Sequence, residues 1–247
     1  MSILRFLALI AVLPSLAMAG EVRVVSTVAA RTTLEALKPV FERSTPHKVE
    51  FLFGTAAPLK RQIEAGESFD VTVLTPGMVD DLAKTGKVDG ASKTDFGRTG
   101  LAIATRKDAK APDISTGESL KRALASAKAI TYTKEGQSGV EARKLIERLG
   151  LTEEMKDRTL VDTRSGGAML NLEEGKADLG FTFLSEILDR PGVQLVGSVP
   201  AELRGYMTLS AGISSSARDA AASRAFVQFL RSDEARAVMK QKGLEGL

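Results

Sequence analysis

The segment FLFGTAAPLKRQIEAGESFDVTVL, residues 51–74, decides the architecture. Its apolar start, Phe51-Leu52-Phe53, reads as a buried strand. The small-residue turn Gly54-Thr55-Ala56-Ala57 follows, and Pro58 suits the first helical position, where its missing N–H costs nothing. Leu59 and Ile63 lie four apart on one helix face, and Gly66 ends the helix. Asp70 then introduces a second strand, Val71 to Leu74. Such a strand–turn–helix–strand unit aims a helix N-terminus out of the carboxyl edge of a sheet. Free backbone N–H groups and the positive dipole end make that place an anion site. No large side chain blocks it.

Toward the N-terminus the same pattern recurs. Glu21 to Val25 forms a strand, and Ser26-Thr27 closes it in position to cap the next helix. Leu34, Leu37 and Phe41 put one stripe of that helix on the core. After Pro46, Val49 to Phe53 is the second strand, so the order reads β-α-β-α-β with two helix N-termini at one sheet edge. Thr75-Pro76-Gly77 begins a third helix, with Met78 and Leu82 inward and Gly86 as its stop. Neither Gly-x-Gly-x-x-Gly nor Gly-x4-Gly-Lys-Ser/Thr occurs, which weakens the nucleotide readings of such a unit.

Residues 1–19 have the form of a secretory leader. Arg5 supplies the positive start, Phe6 to Val12 an apolar run, and Ala17-Met18-Ala19 a small-x-small cleavage site. Pro14 and Ser15 break the run before it could span a bilayer comfortably. The expected mature chain starts at Gly20 and is periplasmic. Cysteine is absent, which excludes a lipid anchor on a cleavage-site cysteine, as well as disulfides and thiolate chemistry. The 34 basic and 31 acidic residues are interspersed, aromatics are only 5% and tryptophan is absent. This balance supports neither a nucleic-acid nor a membrane-surface partner.

Beyond Phe96-Gly97, read as a crossover between lobes, a second α/β run begins. Leu101 to Ala104 is a short strand, and Lys107 to Thr116 is loop-like. A helix over Gly117 to Ala125 and a strand over Ala129 to Tyr132 precede the turn Gly136-Gln137-Ser138-Gly139. Ala142, Leu145, Ile146 and Leu149 mark the next helix. A strand near Thr159 to Val161, the turn Ser165-Gly166-Gly167, a helix to Gly175 and a strand over Leu179 to Phe183 complete this run. Tyr206 to Ile213 is extended and returns the chain to the first unit, and helices over Ala217 to Leu230 and Glu234 to Lys240 finish it.

Four stretches carry a family resemblance: Leu59 to Asp70, Lys176-Ala177-Asp178-Leu179-Gly180, Pro191 to Gly197, and Pro200-Ala201-Glu202-Leu203. In this order, over residues 20 to 247, the chain resembles the periplasmic molybdate-binding protein family of ABC importers, within its broad extracellular solute-binding branch. The resemblance implies an α/β, two-lobed, type II periplasmic-binding-protein fold of the Venus-flytrap kind. Each lobe would be a central sheet flanked by helices, with two crossover strands between them. Lobe I would take residues 20–97 and 206–247, and lobe II residues 98–205. A small anion would sit between the lobes, and the closed form would deliver it to a membrane permease. No cofactor is implied, and the expected state is a monomer.

Family members that hold a tetrahedral oxyanion use two serines and a tyrosine. Carried onto this chain, those positions fall on Ala29, Ala56 and Phe183. Three hydroxyl donors are therefore missing, each worth about 1.5–3 kcal/mol toward a buried anion. Ser26, Thr27, Thr55 and Thr182 are the neighbouring hydroxyls, with Ala30 beside the first position and Ser138, Gly139 and Gly166 at the second lobe's turns. Arg31, Arg98 and Arg164 fall at loops aimed toward the cleft, and forked guanidinium groups suit planar carboxylates. Together these features predict a small organic di- or tricarboxylate. The alternatives are a molybdate- or tungstate-type oxyanion, and an enzyme on the same bilobal scaffold.

Little else in the chain promises chemistry. The single histidine, His47, is expected at the surface, which removes His/Cys metal sites and a Ser-His-acid triad. Asp80-Asp81 reads as a solvated helix face, and Asp70 as a turn residue binding backbone at a strand entry. With no acid/base pair and no cofactor lysine motif in sight, the sequence favours a receptor over an enzyme.

Overall fold

A computed structural model of the chain describes residues 19–188 and 190–247; apart from Ala19, the expected leader lies outside the described residues. The first unit runs β1 (Glu21–Thr27), α1 (Arg31–Ser44), β2 (Lys48–Gly54), α2 (Ala56–Glu64), β3 (Val71–Leu74) and α3 (Pro76–Lys84). A 13-residue strand, β4 (Thr94–Arg106), leads into the second unit. That unit comprises α4 (Gly117–Ser126), β5 (Ile130–Thr133), α5 (Gln137–Arg148), α6 (Thr152–Met155), β6 (Thr159–Asp162), α7 (Gly167–Glu173), β7 (Leu179–Phe183) and β8 (Val193–Ser198). The chain closes with β9 (Tyr206–Ile213), α8 (Ala220–Phe229), α9 (Asp233–Gln241) and β10 (Glu245–Gly246).

The strands join in the order β2-β1-β3-β9-β4-β7-β5-β6, with β8 and β10 also paired to β4. This is a curled central sheet flanked by helices. β1 pairs in parallel with β2 and β3, and β5 in parallel with β6 and β7. Each trio therefore presents its carboxyl ends together. β4 spans both units: Thr94 to Gly100 pairs with β9, while Leu101 to Arg106 meets β7 and β8. Beneath the first unit, Leu34, Leu37, Phe41 and Phe226 pack with Val22, Val24 and Val73. Beneath the second, Leu120, Leu124, Leu145 and Phe181 pack with Leu101 and Ile103.

Several local expectations change. β2 is an edge strand rather than a buried one, and Leu52 is 37% exposed because only β1 flanks it. α2 begins at Ala56 after Thr55, so Pro58 occupies the third helical position, where its N–H would still have no helical acceptor. Ser26 and Thr27 provide no side-chain cap; Ser26 Oγ instead donates to the Thr27 carbonyl at 3.2 Å. His47 is 8% exposed, not at the surface: its Nδ1 accepts the Gly20 N–H at 3.1 Å and its ring stacks on Phe41. α8 starts three residues later than expected, at Ala220, because the Asp219 carboxylate accepts the N–H groups of Ala221 and Ala222.

Candidate functional site

Where parallel strands end, helix N-termini and strand carboxyl ends share one edge, and ligands bind in the crevice outside it. Here two such edges face each other. From the first unit come Thr27, Thr55 and Thr75, each immediately after or at the end of β1, β2 and β3. From the second come Thr133 at the end of β5, Ser138 in the first turn of α5, and Ser165 and Gly166 ahead of α7. They enclose a cavity of about 60 Å³. The first turns of α2, α3 and α5 open onto it, bringing positive dipole ends and free N–H groups. The rest of the lining is largely apolar: Ala29, Ala56, Ala57, Met78, Phe183 and Met207. Among the described residues no lysine, arginine or histidine lines it, but Glu135 and Glu186 do.

Of the residues expected at the site, Thr27, Ala29, Thr55, Ala56, Ser138, Gly166 and Phe183 line this cavity. The others lie elsewhere for identifiable reasons. Strand alternation turns Ser26 and Thr182 away from the faces that Thr27 and Phe183 present. Ala30 is buried in the first unit's core. Gly139 packs against β5, where an added Cβ would stand 1.8 Å from the Thr133 carbonyl oxygen. It permits the close approach of α5 and does not line the cavity.

The three arginines are engaged with other partners and none lines the cavity. Arg31 lies 4.6 Å over the Phe53 ring and 3.9 Å from Glu35. Arg98 donates to Glu245 at 2.7 Å and lies over Tyr206. Arg164 forks onto Asp162 with bonds of 3.1 and 2.7 Å, and its own N–H adds a third at 2.8 Å. The Arg164 guanidinium and N–H hold the Asp162 carboxyl at about 2.

Sequence reasoning did not find Thr75, Thr133, Glu135, Ser165, Glu186 or Met207. Thr75 and Thr133 were within reach, since a hydroxyl directly after a parallel strand faces the crevice. Glu186 carries no such signal, because the turn that aims it is set by packing. That turn, Leu184–Glu186, is pinned where Ser185 Oγ donates to the Ala29 carbonyl at 2.9 Å and Thr32 Oγ1 to the Ser185 carbonyl at 3.0 Å. Thr182 Oγ1 donates to Glu186. Burial pushes the Glu186 carboxyl above the usual range, and Thr182 and Arg190 only partly oppose it. The cleft thus holds two carboxyl groups, which corrects the reading that no acid pair lay near it.

A larger hollow of about 510 Å³ lies between Arg106, Lys110, Arg122 and Ala177 on the second unit and shares no residue with the cleft. It sits off the carboxyl ends of the parallel strands, so the smaller cavity is the better candidate despite its size.

Fold and cleft together define a type II periplasmic binding protein. The chain belongs to the bacterial extracellular solute-binding protein family, whose model matches residues 22–245. It is similar to a Pseudomonas sp. protein named aconitate isomerase, with 27% identity over 219 residues, covering 86% of this chain and 83% of the relative. It is also 27% identical over 231 residues to the molybdate-binding protein ModA of Azotobacter vinelandii, covering 92% and 90%. The solved periplasmic molybdate-binding protein of Azotobacter vinelandii superposes with a TM-score of 0.78 at 22% identity, over 90% of this chain and 98% of that one.

Proposed function

We propose that this chain is the periplasmic receptor of an ABC importer and captures a compact organic carboxylate between its two lobes. The mixed lining of the cavity carries this reading. Beside helix N–H groups and the hydroxyls of Thr27, Thr55 and Ser138 it presents the apolar side chains of Ala29, Ala56, Met78 and Phe183. A bare tetrahedral oxyanion presents oxygen in every direction and would leave some of it unpaired against methyl and phenyl groups. A carboxylate with a carbon body matches both kinds of surface. The arginines of the sequence-based argument do not support the choice. The volume of about 60 Å³ favours a small acid, and a tricarboxylate needs a wider opening of the lobes.

A second reading is an isomerase acting on such an acid. Glu135 and Glu186 line one cavity, and two carboxyl groups of different environment can take and return a proton. The similarity to a protein named aconitate isomerase points the same way.

One panel separates the readings. Succinate, citrate, aconitate, molybdate, tungstate, sulfate and phosphate are tested by thermal shift and calorimetry, and the aconitate sample is followed by NMR for isomerisation. A true ligand at about 100 times its dissociation constant adds about 2.7 kcal/mol. The expected result is stabilisation by a carboxylate without turnover. Tight molybdate binding with no response to any carboxylate overturns the proposal, and turnover of aconitate replaces it with the second reading.

A further inference from the structure

Among the described residues, Glu186 is the partly buried titratable group that lines the cleft, whereas Glu135 is exposed. One carboxyl oxygen is occupied by Thr182 Oγ1, and the other has no hydrogen-bond partner among the described residues. Thr33 Oγ1 is the sole enclosed, unpartnered side-chain polar atom among those residues, so the second Glu186 oxygen is open to the cavity it lines. Among the described residues no free cation lines the cavity beside it. Arg190, beyond the same turn, is held by Glu173 through bonds of 2.7 and 3.1 Å. Arg31 on α1 is taken up by Glu35 and Phe53, and Arg98 on β4 by Glu245. From the α5 side comes another acid, Glu135, and Arg164 near that mouth is spent on Asp162.

An ionised Glu186 would therefore confront a bound anion within about 60 Å³ with no cation among the described lining residues. Like charges at such range exclude one another, whereas a protonated carboxyl turns the same oxygen into a donor. We propose that Glu186 keeps its proton in the occupied cleft and donates it as a hydrogen bond to the bound anion, making Glu186 a specificity-determining residue and capture a proton-linked event. The inference rests on reading the cleft as an anion site. Burial, which already favours the neutral acid in the empty cleft, acts in the same direction as the ligand's charge.

The sign follows from linkage. An anion that binds the protonated form raises the Glu186 pKa further on binding, so complex formation takes up a proton once the free cleft has begun to ionise. Affinity is level below the free-cleft pKa and falls above it by up to about tenfold per pH unit, until the pKa of the complex is reached.

The experiment measures binding of molybdate, sulfate and succinate by calorimetry from the acidic to the alkaline side of neutrality, in two buffers of different ionisation heat. Wild-type protein is compared with Glu186→Gln, whose amide keeps a donor but cannot titrate, and Glu186→Ala. The expected result is wild-type affinity that declines with rising pH, with proton uptake, and a Glu186→Gln affinity free of that slope. Glu186→Ala should bind about tenfold or more weakly than Glu186→Gln at every pH. The glutamine variant also cancels any titration of the ligand itself. Binding with the same pH slope in wild type and Glu186→Gln overturns the proposal and leaves the receptor reading intact. If none of the three anions binds at any pH, while a cationic amine does, the anion reading and the proposal fall together. If nothing binds, carbon NMR of the labelled glutamate side chains decides. An unshifted Glu186 titration refutes the proposal, and one displaced upward supports it.

Discussion

Asp70 ties three distant stretches of chain together. Its carboxylate is 1% exposed and accepts the Arg23 N–H at 2.8 Å, the Arg218 N–H at 2.8 Å and the Arg218 guanidinium at 2.6 Å. Burial alone would raise its pKa, but Arg218 and the two backbone donors outweigh it and hold the group below its ordinary range. Asp70→Ala should cost about 3 kcal/mol at neutral pH, because two backbone N–H groups and the Arg218 guanidinium lose their shared acceptor. The lowered pKa means that this stabilisation is complete above the unfolded-state value. It is lost as pH falls through the folded-state value. Urea denaturation at neutral and acidic pH should show the gap between wild type and Asp70→Ala shrink on acidification; a constant gap contradicts the argument. The role of Asp70 at a strand entry was legible in the sequence, since an acid before an apolar run binds backbone. The placement of Arg31, Arg98 and Arg164 was not. Each is adjacent in sequence to the right loop, but a long side chain goes to its nearest partner: Glu35 lies one turn along α1 from Arg31 and Asp162 two residues before Arg164, whereas Glu245 meets Arg98 only through the tertiary fold.

At the scale of elements, α5 owes its position to Gly139. The Thr133 carbonyl oxygen lies where a side chain would begin, so a methyl group there must push the helix off β5. Gly139→Ala should destabilise the protein by about 2 kcal/mol and also weaken ligand binding, because the displaced turn carries Ser138 and Gln137 into or out of the cavity wall. Chemical denaturation and calorimetry on the same variant test this; unchanged affinity would show that the turn is not part of the site. Long elements with apolar stripes, α1, α5 and α8 among them, were readable from spacing alone. The missed elements are short or lack periodicity. α6 has four residues, and β10 has two that pair with β4 only through tertiary contact.

For the whole molecule, the passage between the two units is the decisive feature. β4 and β9 cross together as an antiparallel pair, with Gly97 opposite Leu209 and Gly100 opposite Tyr206. The sequence disclosed these two crossings, but not the third strand lying on them: β10 pairs Glu245 with Arg98 and Gly246 with Gly97. Ligand should draw the lobes together about this ribbon, lowering the radius of gyration in small-angle scattering while helix content by circular dichroism stays constant. An unchanged radius with a saturating ligand would rule out closure. The same topology governs the order of assembly. β9 fills the place between β3 and β4, so the strands made first stand beside an empty slot until Ile213 has been synthesised. The second unit's strands β5 to β8 are contiguous in the chain and need no such late arrival. A polypeptide emerging from its N-terminus therefore completes its middle before its beginning. The half that is translated first is the last to close.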